Sequence, residues 1–228
     1  MADNSLYQRQ QSIPLDIPKK VVVVGVGGVG SWVAYFLAMA GVPELWLFDH
    51  DTIEQHNLNR VPFLPEDVGK LKTQACAELI KRYRPECTVY GCGMFNPTVA
   101  GLIGDTVNWV VAATDSSKSR EMIYNWGLRG GADRYLEVAA EGEIGSVYFS
   151  PSDFTTEVVP QVGYQSVPVW IGPAVSAAIM AVTYILHKHP ANDVTIRAGW
   201  DAVRGEYHFY NSDYEYEEAQ EITYEEEL

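Results

Sequence analysis

The chain has 228 residues, 47% of them apolar and 20% charged, and sets 16 Lys and Arg against 30 Asp and Glu for a formal charge of −14. That length and apolar fraction suffice for a sizeable core without disulfide or metal staples, and they exclude a disordered chain and a small secreted disulfide scaffold. The acidity argues against a general nucleic-acid coat protein, although residues 213–228 hold eight acidic side chains and no base, leaving 22 acids against 16 bases in residues 1–212.

The N-terminal stretch MADNSLYQRQQSIPLDIPKK has no apolar core of the kind a signal peptide needs, and the expected location is cytoplasmic. Residues 20–24 form a β-branched run that ends in glycines, and residues 31–39 follow as a helix with Trp32, Val33, Phe36 and Leu37. The order strand, glycine turn, helix then continues with a strand at 44–48, an amphipathic helix at 69–83 closed by Pro85, a strand at 87–91, a strand at 107–113 and a helix at 117–128. Such alternation predicts a Rossmann-like, doubly wound α/β fold with a mostly parallel sheet. Beyond Arg134 the segments 135–139, 145–150, 194–200 and 206–210 read as strands, antiparallel in part, around a helix at 174–187. Residues 158–186 carry no charge, yet Pro168, Gly172 and Pro173 interrupt them, so 174–187 is expected to be a buried helix and not a membrane span. With no linker in sight, residues 1–212 are expected to form a single domain and 213–228 an acidic tail, either solvated or docked on a basic partner.

The motif at residues 25–30 is GVGGVG, with Gly25, Gly27, Gly28 and Gly30 between the first strand and the first helix. Glycines there let a backbone approach a phosphate, and the helix N-terminus supplies unpaired N–H donors. Asp49 closes the second strand, the place from which a carboxylate takes ribose hydroxyls. Together they point to an adenine nucleotide, NAD or ATP. Residues 60–84 favour ATP, since Arg60, Lys70, Lys72, Lys81, Arg82 and Arg84 are six of the sixteen bases of an acidic chain, and Asp115 after the fourth strand offers a carboxylate for Mg²⁺. The plainer readings are that Arg60 and Lys72 are solvated charges, as Lys70, Lys81 and Arg84 on the same region are expected to be, and that Asp115 caps the next helix.

The sequence resembles the ThiF/MoeB-like adenylating enzymes related to the ubiquitin-activating enzymes. The marks of the resemblance are YQRQ at 7–10, GVGGVGS at 25–31, FDHDTIEQHNLNR at 48–60, EDVGKLK at 66–72, ATDSSKSR at 113–120, EGEIGSVYF at 141–149, and GP at 172–173 before the apolar helix. The resemblance implies that the glycine loop and Asp49 hold ATP, that Asn57, Arg60 and Lys72 contact its phosphates, and that Asp115 positions Mg²⁺. Asp51 either joins the phosphate and Mg²⁺ contacts or shapes the loop, while Ser31 and Arg120 are structural. Arg9 matches an arginine that reaches into the partner subunit's site, which implies a homodimer. The implied activity is adenylation of the C-terminal carboxylate of a small ubiquitin-like or sulfur-carrier protein, or of a peptide.

The chain departs from that pattern in having no CxxC pair for zinc, no cysteine after Cys92, and Val61 where relatives carry Gln. Cys76, Cys87 and Cys92 read as buried small hydrophobes, so an enzyme with no catalytic cysteine of its own is expected. The same fold leaves two alternatives, an ATP-dependent tRNA-base dehydratase, disfavoured by the acidic balance, and a nucleotide-holding scaffold without catalysis.

Overall fold

A lysine and four valines (Lys20–Val24) make β1, the middle one of five parallel strands, and all four valines are buried. Side chains alternate along a strand, so Val21 and Val23 enter one core while Val22 and Val24 enter another. A strand apolar on both faces needs cover on both, which is the condition of a parallel sheet. The computed structural model describes residues 4–104, 107–142, 144–148, 169–187, 196–201 and 206–211. The expectations for 151–168 and for the acidic tail lie outside them.

Beside β1 stand β2 (Glu44–Phe48) and β4 (Val107–Ala112), with β3 (Thr88–Cys92) and β5 (Ala132–Glu141) outside them, all parallel. The sheet continues antiparallel through β6 (Ile144–Tyr148), β7 (Ile196–Asp201) and β8 (Glu206–Asn211), giving eight strands in the order β3-β2-β1-β4-β5-β6-β7-β8. This is the doubly wound α/β architecture that the strand and helix spacing predicts. Helices α1 (Gly30–Ala40), α2 (Lys72–Tyr83) and α5 (Ile171–Leu186) cover the Val21 face, and α3 (Pro97–Ala100) and α4 (Ser117–Trp126) the Val22 face.

The uncharged segment before His187 is a core helix. Ala174, Ala177, Ala178 and Ala181 of α5 are fully buried, and opposite them Gly145 leaves so little room that a Cβ would lie 2.6 Å from the Pro173 carbonyl. Small residues on both sides therefore let helix and sheet close. The helix begins three residues earlier than expected, because Pro173 falls in the first turn, where a missing N–H has no intrahelical partner to lose. No helix among the described residues is long and apolar enough to cross a membrane.

Two further helix ends differ from the expectation by two residues or more, and the strand expected at 135–139 runs from Ala132 to Glu141. The second helix begins at Lys72 and not at residue 69: Gly69 has φ +91°, and residues 69–72 are tied to 51–53 by Gly69 N–H to Ile53 O (2.8 Å), Ile53 N–H to Lys70 O (2.8 Å) and Lys72 N–H to Asp51 O (3.0 Å). Backbone groups spent on that ladder are not available to a helix. At the other end, α4 stops at Trp126 and passes into one wide turn at Gly127–Gly131. The short turns Asn4–Gln10 and Gln55–Asn57 have no periodicity for the sequence to reveal.

Candidate functional site

Val24 lies opposite both Phe48 and Ala112, so β1, β2 and β4 end level. Since β2 and β4 flank β1, the loops leaving these ends diverge, and the crevice between them is where open α/β sheets bind ligands. Gly25, Asp49 and Ala113 are the first residues beyond the three ends. Neighbouring strands stand about 4.8 Å apart, which puts the Asp49 and Ala113 backbones about 10 Å from each other across Gly25.

The glycine loop is closed from both sides. Gly25 has φ +91°, donates its N–H to Phe48 O (2.8 Å), and has no room for a Cβ, which would sit 2.4 Å from Ala113 O. At Gly30 a Cβ would lie 1.9 Å from Gly25 O. Ser31, fully buried, donates its hydroxyl to Gly27 O (2.6 Å), so its structural reading fits its surroundings. The front of the loop is open: no atom lies within 4 Å of where a Cβ on Gly27 would stand. The N–H groups of Gly27, Gly28 and Val29 have no acceptor among the described residues, and they lie at the positive end of α1. This cradle fits a phosphate.

Asp49 accepts Val26 N–H at Oδ2 (2.7 Å) and Asp51 N–H at Oδ1 (2.9 Å). It therefore shapes the loop, with one lone-pair site on each oxygen left for a ligand hydroxyl. The Arg60 stem crosses the loop, its Cδ 3.2 Å from where a Cβ on Gly28 would be. Its guanidinium Nη1 donates to His56 O (2.9 Å) and Asn59 Oδ1 (3.0 Å), and its carbonyl accepts from Trp32 Nε1 (2.9 Å). Asn57 is buried and accepts Glu54 N–H at its Oδ1 (3.0 Å), which leaves its Nδ2 amide group as a donor for a ligand. Val61 is part of the core.

Lys72 stands at the start of α2, its side chain 13% exposed, with Nζ 2.7 Å from Asp51 Oδ2. The hydrogen bond from Lys72 holds the Asp51 carboxyl below its ordinary value, against partial burial that pushes it up. A lowered folded-state pKa contributes stability that is complete above the unfolded value of about 3.9 and lost as the pH falls through the folded one. Asp51→Asn is thus expected to flatten the acid limb of a pH–stability curve below about pH 4, at a cost under about 1 kcal/mol at pH 7 for so exposed a carboxylate. Urea melts of the two proteins from pH 2 to 7 check this.

Asp115 does not cap α4. Ser116 does, accepting Ser119 N–H at its Oγ (3.2 Å), and the exposed Asp115 carboxylate has no hydrogen bond or ion pair among the described residues. Asp49, Asp51 and Asp115 offer hard oxygen donors, the ligands Mg²⁺ takes beside substrate phosphates. Two of the three other cations, Lys70 and Arg84, depart from the reading of them as solvated. Lys70 bridges Asp67 (2.9 Å) and Glu78 (2.8 Å), and Arg84 donates to Tyr83 O and Met39 O and lies over the Tyr7 ring; Lys81 alone of the three is exposed.

Arg9 is not brought to this site. Tyr7 donates to Glu86 Oε1 (3.0 Å) and packs against Gly41, while Gln10 donates to Ala40 O (2.9 Å), so the residues flanking Arg9 grip the C-terminal end of α1. Eleven helical residues, about 16 Å, separate that end from the glycine loop. Burial pushes the Cys76 thiol up to about 12, the Cys87 thiol to about 11 and the Cys92 thiol upward as well, so none is a thiolate at neutral pH. One residue that the sequence reading passed over is Glu137, fully buried and paired with Arg120 (2.8 Å). Its signal was a lone acid inside the apolar run YLEVAA.

Residues 17–149, more than half of the chain, match the ThiF family. Among curated proteins, the tRNA threonylcarbamoyladenosine dehydratase of Haemophilus influenzae is 49% identical over 70 residues, 30% of this chain and 27% of that protein. Ubiquitin-like modifier-activating enzyme 5 of Oryza sativa subsp. japonica is 38% identical over 81 residues, 36% of this chain and 19% of that protein. The matched stretches thus take in less than a third of these relatives' length. Among solved structures, E. coli MccB with MccA-N7isoASN superposes with a TM-score of 0.70 at 20% identity, covering 92% of this chain and 72% of that one. E. coli MccB with ATP gives 0.69 at 21% identity, covering 90% and 66%. The family match over residues 17–149 and the common fold agree, and the chain belongs to the ThiF family.

Proposed function

We propose that the chain is an ATP- and Mg²⁺-dependent adenylyltransferase that activates the C-terminal carboxylate of a small ubiquitin-like or sulfur-carrier protein, or of a peptide, as an acyl-adenylate. The observation that carries this reading is the pairing of an open phosphate cradle at Gly27 with two fixed cations, Arg60 across Gly28 and Lys72 on Asp51. A carboxylate oxygen attacks the α-phosphorus, the bond to the β-phosphate breaks, and pyrophosphate leaves with the electron pair. Two anions must meet, and charge grows on the leaving group, so cations fixed before the reaction begins lower the barrier. The N–H groups of residues 27–29 hold the phosphates, the free lone pairs of Asp49 take the ribose hydroxyls, and the Asn57 side-chain amide N–H and the Arg60 and Lys72 cations contact the triphosphate. Asp115 and Asp51 would hold Mg²⁺, which supplies further neutralisation of the departing pyrophosphate. Arg9, turned to the far end of α1, serves the site of a second copy in a homodimer. With all three thiols neutral, the acyl-adenylate passes to an external nucleophile.

Carrier-dependent exchange of labelled pyrophosphate into ATP is the expected result when the chain is mixed with ATP, Mg²⁺ and a small protein encoded beside it that ends in Gly-Gly. No exchange with any such carrier or peptide would sink the reading. For the shared site, Arg9→Ala and Lys72→Ala are each expected to be inactive alone, and their equilibrated mixture to regain about a quarter of the wild-type rate, since half the dimers are mixed and each has one intact site.

A second reading takes the same activation chemistry to a tRNA base, and the 49% identical stretch shared with the dehydratase favours it. The net −6 of residues 1–212 opposes a phosphate backbone. ATP turnover that depends on tRNA and ignores every carrier would select this alternative.

A further inference from the structure

Glu137 is the one acidic residue buried completely among the described residues, and the adenylation chemistry does not touch it. It sits in β5 directly opposite Ala112, the last residue of β4. Its Oε1 accepts from Arg120 Nη1 at 2.8 Å and its Oε2 from the Tyr135 hydroxyl at 3.2 Å. Arg120 in turn donates Nε to Thr114 O at 2.7 Å, in the peptide that leads into Asp115. The same loop is held by Ala113 N–H on Val24 O (2.8 Å), Ser116 N–H on Thr114 Oγ1 (3.3 Å) and Arg120 N–H on Ser116 O (3.0 Å). A buried ion pair is a weak source of stability, because apolar residues of the same volume serve as well without desolvating two charges. What an apolar pair cannot supply is a rigid two-pronged donor with one prong on the buried carboxylate and the other on a loop carbonyl.

We infer that the Glu137–Arg120 pair is a positioning device: it fixes the Thr114 carbonyl and so aims the Asp115 carboxylate at the metal that accompanies the nucleotide. This rests on the adenylation reading and names two residues that act through Asp115 without touching substrate. Partners of this kind around a metal ligand typically change metal affinity or activity by 10–100-fold when lost.

The test is calorimetric titration of ATP into the full chain, once with Mg²⁺ and once with EDTA. The wild type binds more tightly with Mg²⁺, and Asp115→Asn loses that gain. Arg120→Lys keeps a cation beside Glu137 but removes the Nε donor, and it is expected to lose about tenfold of the Mg²⁺-dependent gain while its affinity in EDTA stays within about twofold. Glu137→Gln should behave alike; if it folds poorly, the part-exposed Arg120 site decides. An Arg120→Lys protein that keeps the full Mg²⁺ gain, or that loses affinity equally in both buffers, overturns the inference, as does a wild type that binds ATP equally in both. A wild type that binds no ATP in either buffer overturns the adenylation reading beneath it.

Discussion

Alanine at Lys72 is expected to lower carrier-dependent pyrophosphate exchange by about a thousandfold, the upper range for removing one preorganised donor from a developing charge. The size follows from how the ammonium is held. Its side chain is 13% exposed, its own N–H is bound to Asp51 O, and its Nζ already rests 2.7 Å from Asp51, so it need not be recruited from solvent when the triphosphate arrives. Loss of the pair should cost under about 1 kcal/mol of stability, because the Asp51 carboxylate is half exposed and its charge is screened. The expected signature is a collapse of kcat with an almost unchanged Tm. Lys70→Ala is the matched control: two residues away, its ammonium is engaged by Asp67 and Glu78, and exchange should stay near wild type. Exchange in Lys72→Ala within about tenfold of wild type would remove Lys72 from the chemistry.

The contrast between these two lysines marks where sequence reasoning ends. The run KVVVV, the glycines after it and Asp49 are legible because their signals are local: β-branched side chains, a turn that needs glycine, and a carboxylate at a strand end. Lys72 was legible as a residue type, but its placement was not. It depends on a ladder between residues 51–53 and 69–72 that no helical periodicity encodes, and that ladder is why the helix starts at Lys72. Arg84 failed for a related reason, since its partners, Met39 and Tyr7, are 45 and 77 residues away. Glu137 left a readable trace, a carboxylate in an apolar strand that must find a cation. Its partner Arg120, on another element 17 residues back, was not readable without the fold. Arg9 shows the converse: the motif names it as a site residue, while its neighbours Tyr7 and Gln10 hold that segment at the end of α1 far from the glycine loop.

The glycine loop separates folding from binding within four residues, and the expected outcomes at Gly30 and Gly27 diverge accordingly. Gly30→Ala places a methyl group 1.9 Å from Gly25 O and 3.0 Å from the Ala113 side chain. Backbone cannot rotate aside as a flexible side chain would, so either the start of α1 or the β1–β4 junction must shift. That junction carries Ala113 N–H on Val24 O and the left-handed Gly25, and the loss of stability is expected to be about 3 kcal/mol or more. Gly27→Ala meets nothing within 4 Å, and its φ is not positive. There the smaller entropy of the unfolded chain should leave stability unchanged or raise it by about 0.4–1 kcal/mol. The added methyl group nonetheless occupies the approach to the N–H groups of residues 27–29, and ATP affinity is expected to fall by at least about tenfold, the cost of losing one to two charge-assisted hydrogen bonds. Thermal melts with and without ATP read both quantities: Gly27→Ala should melt at or above the wild-type temperature and show a smaller ATP-induced shift than wild type. A Gly27→Ala protein that keeps the full shift would mean that phosphate does not sit in this cradle.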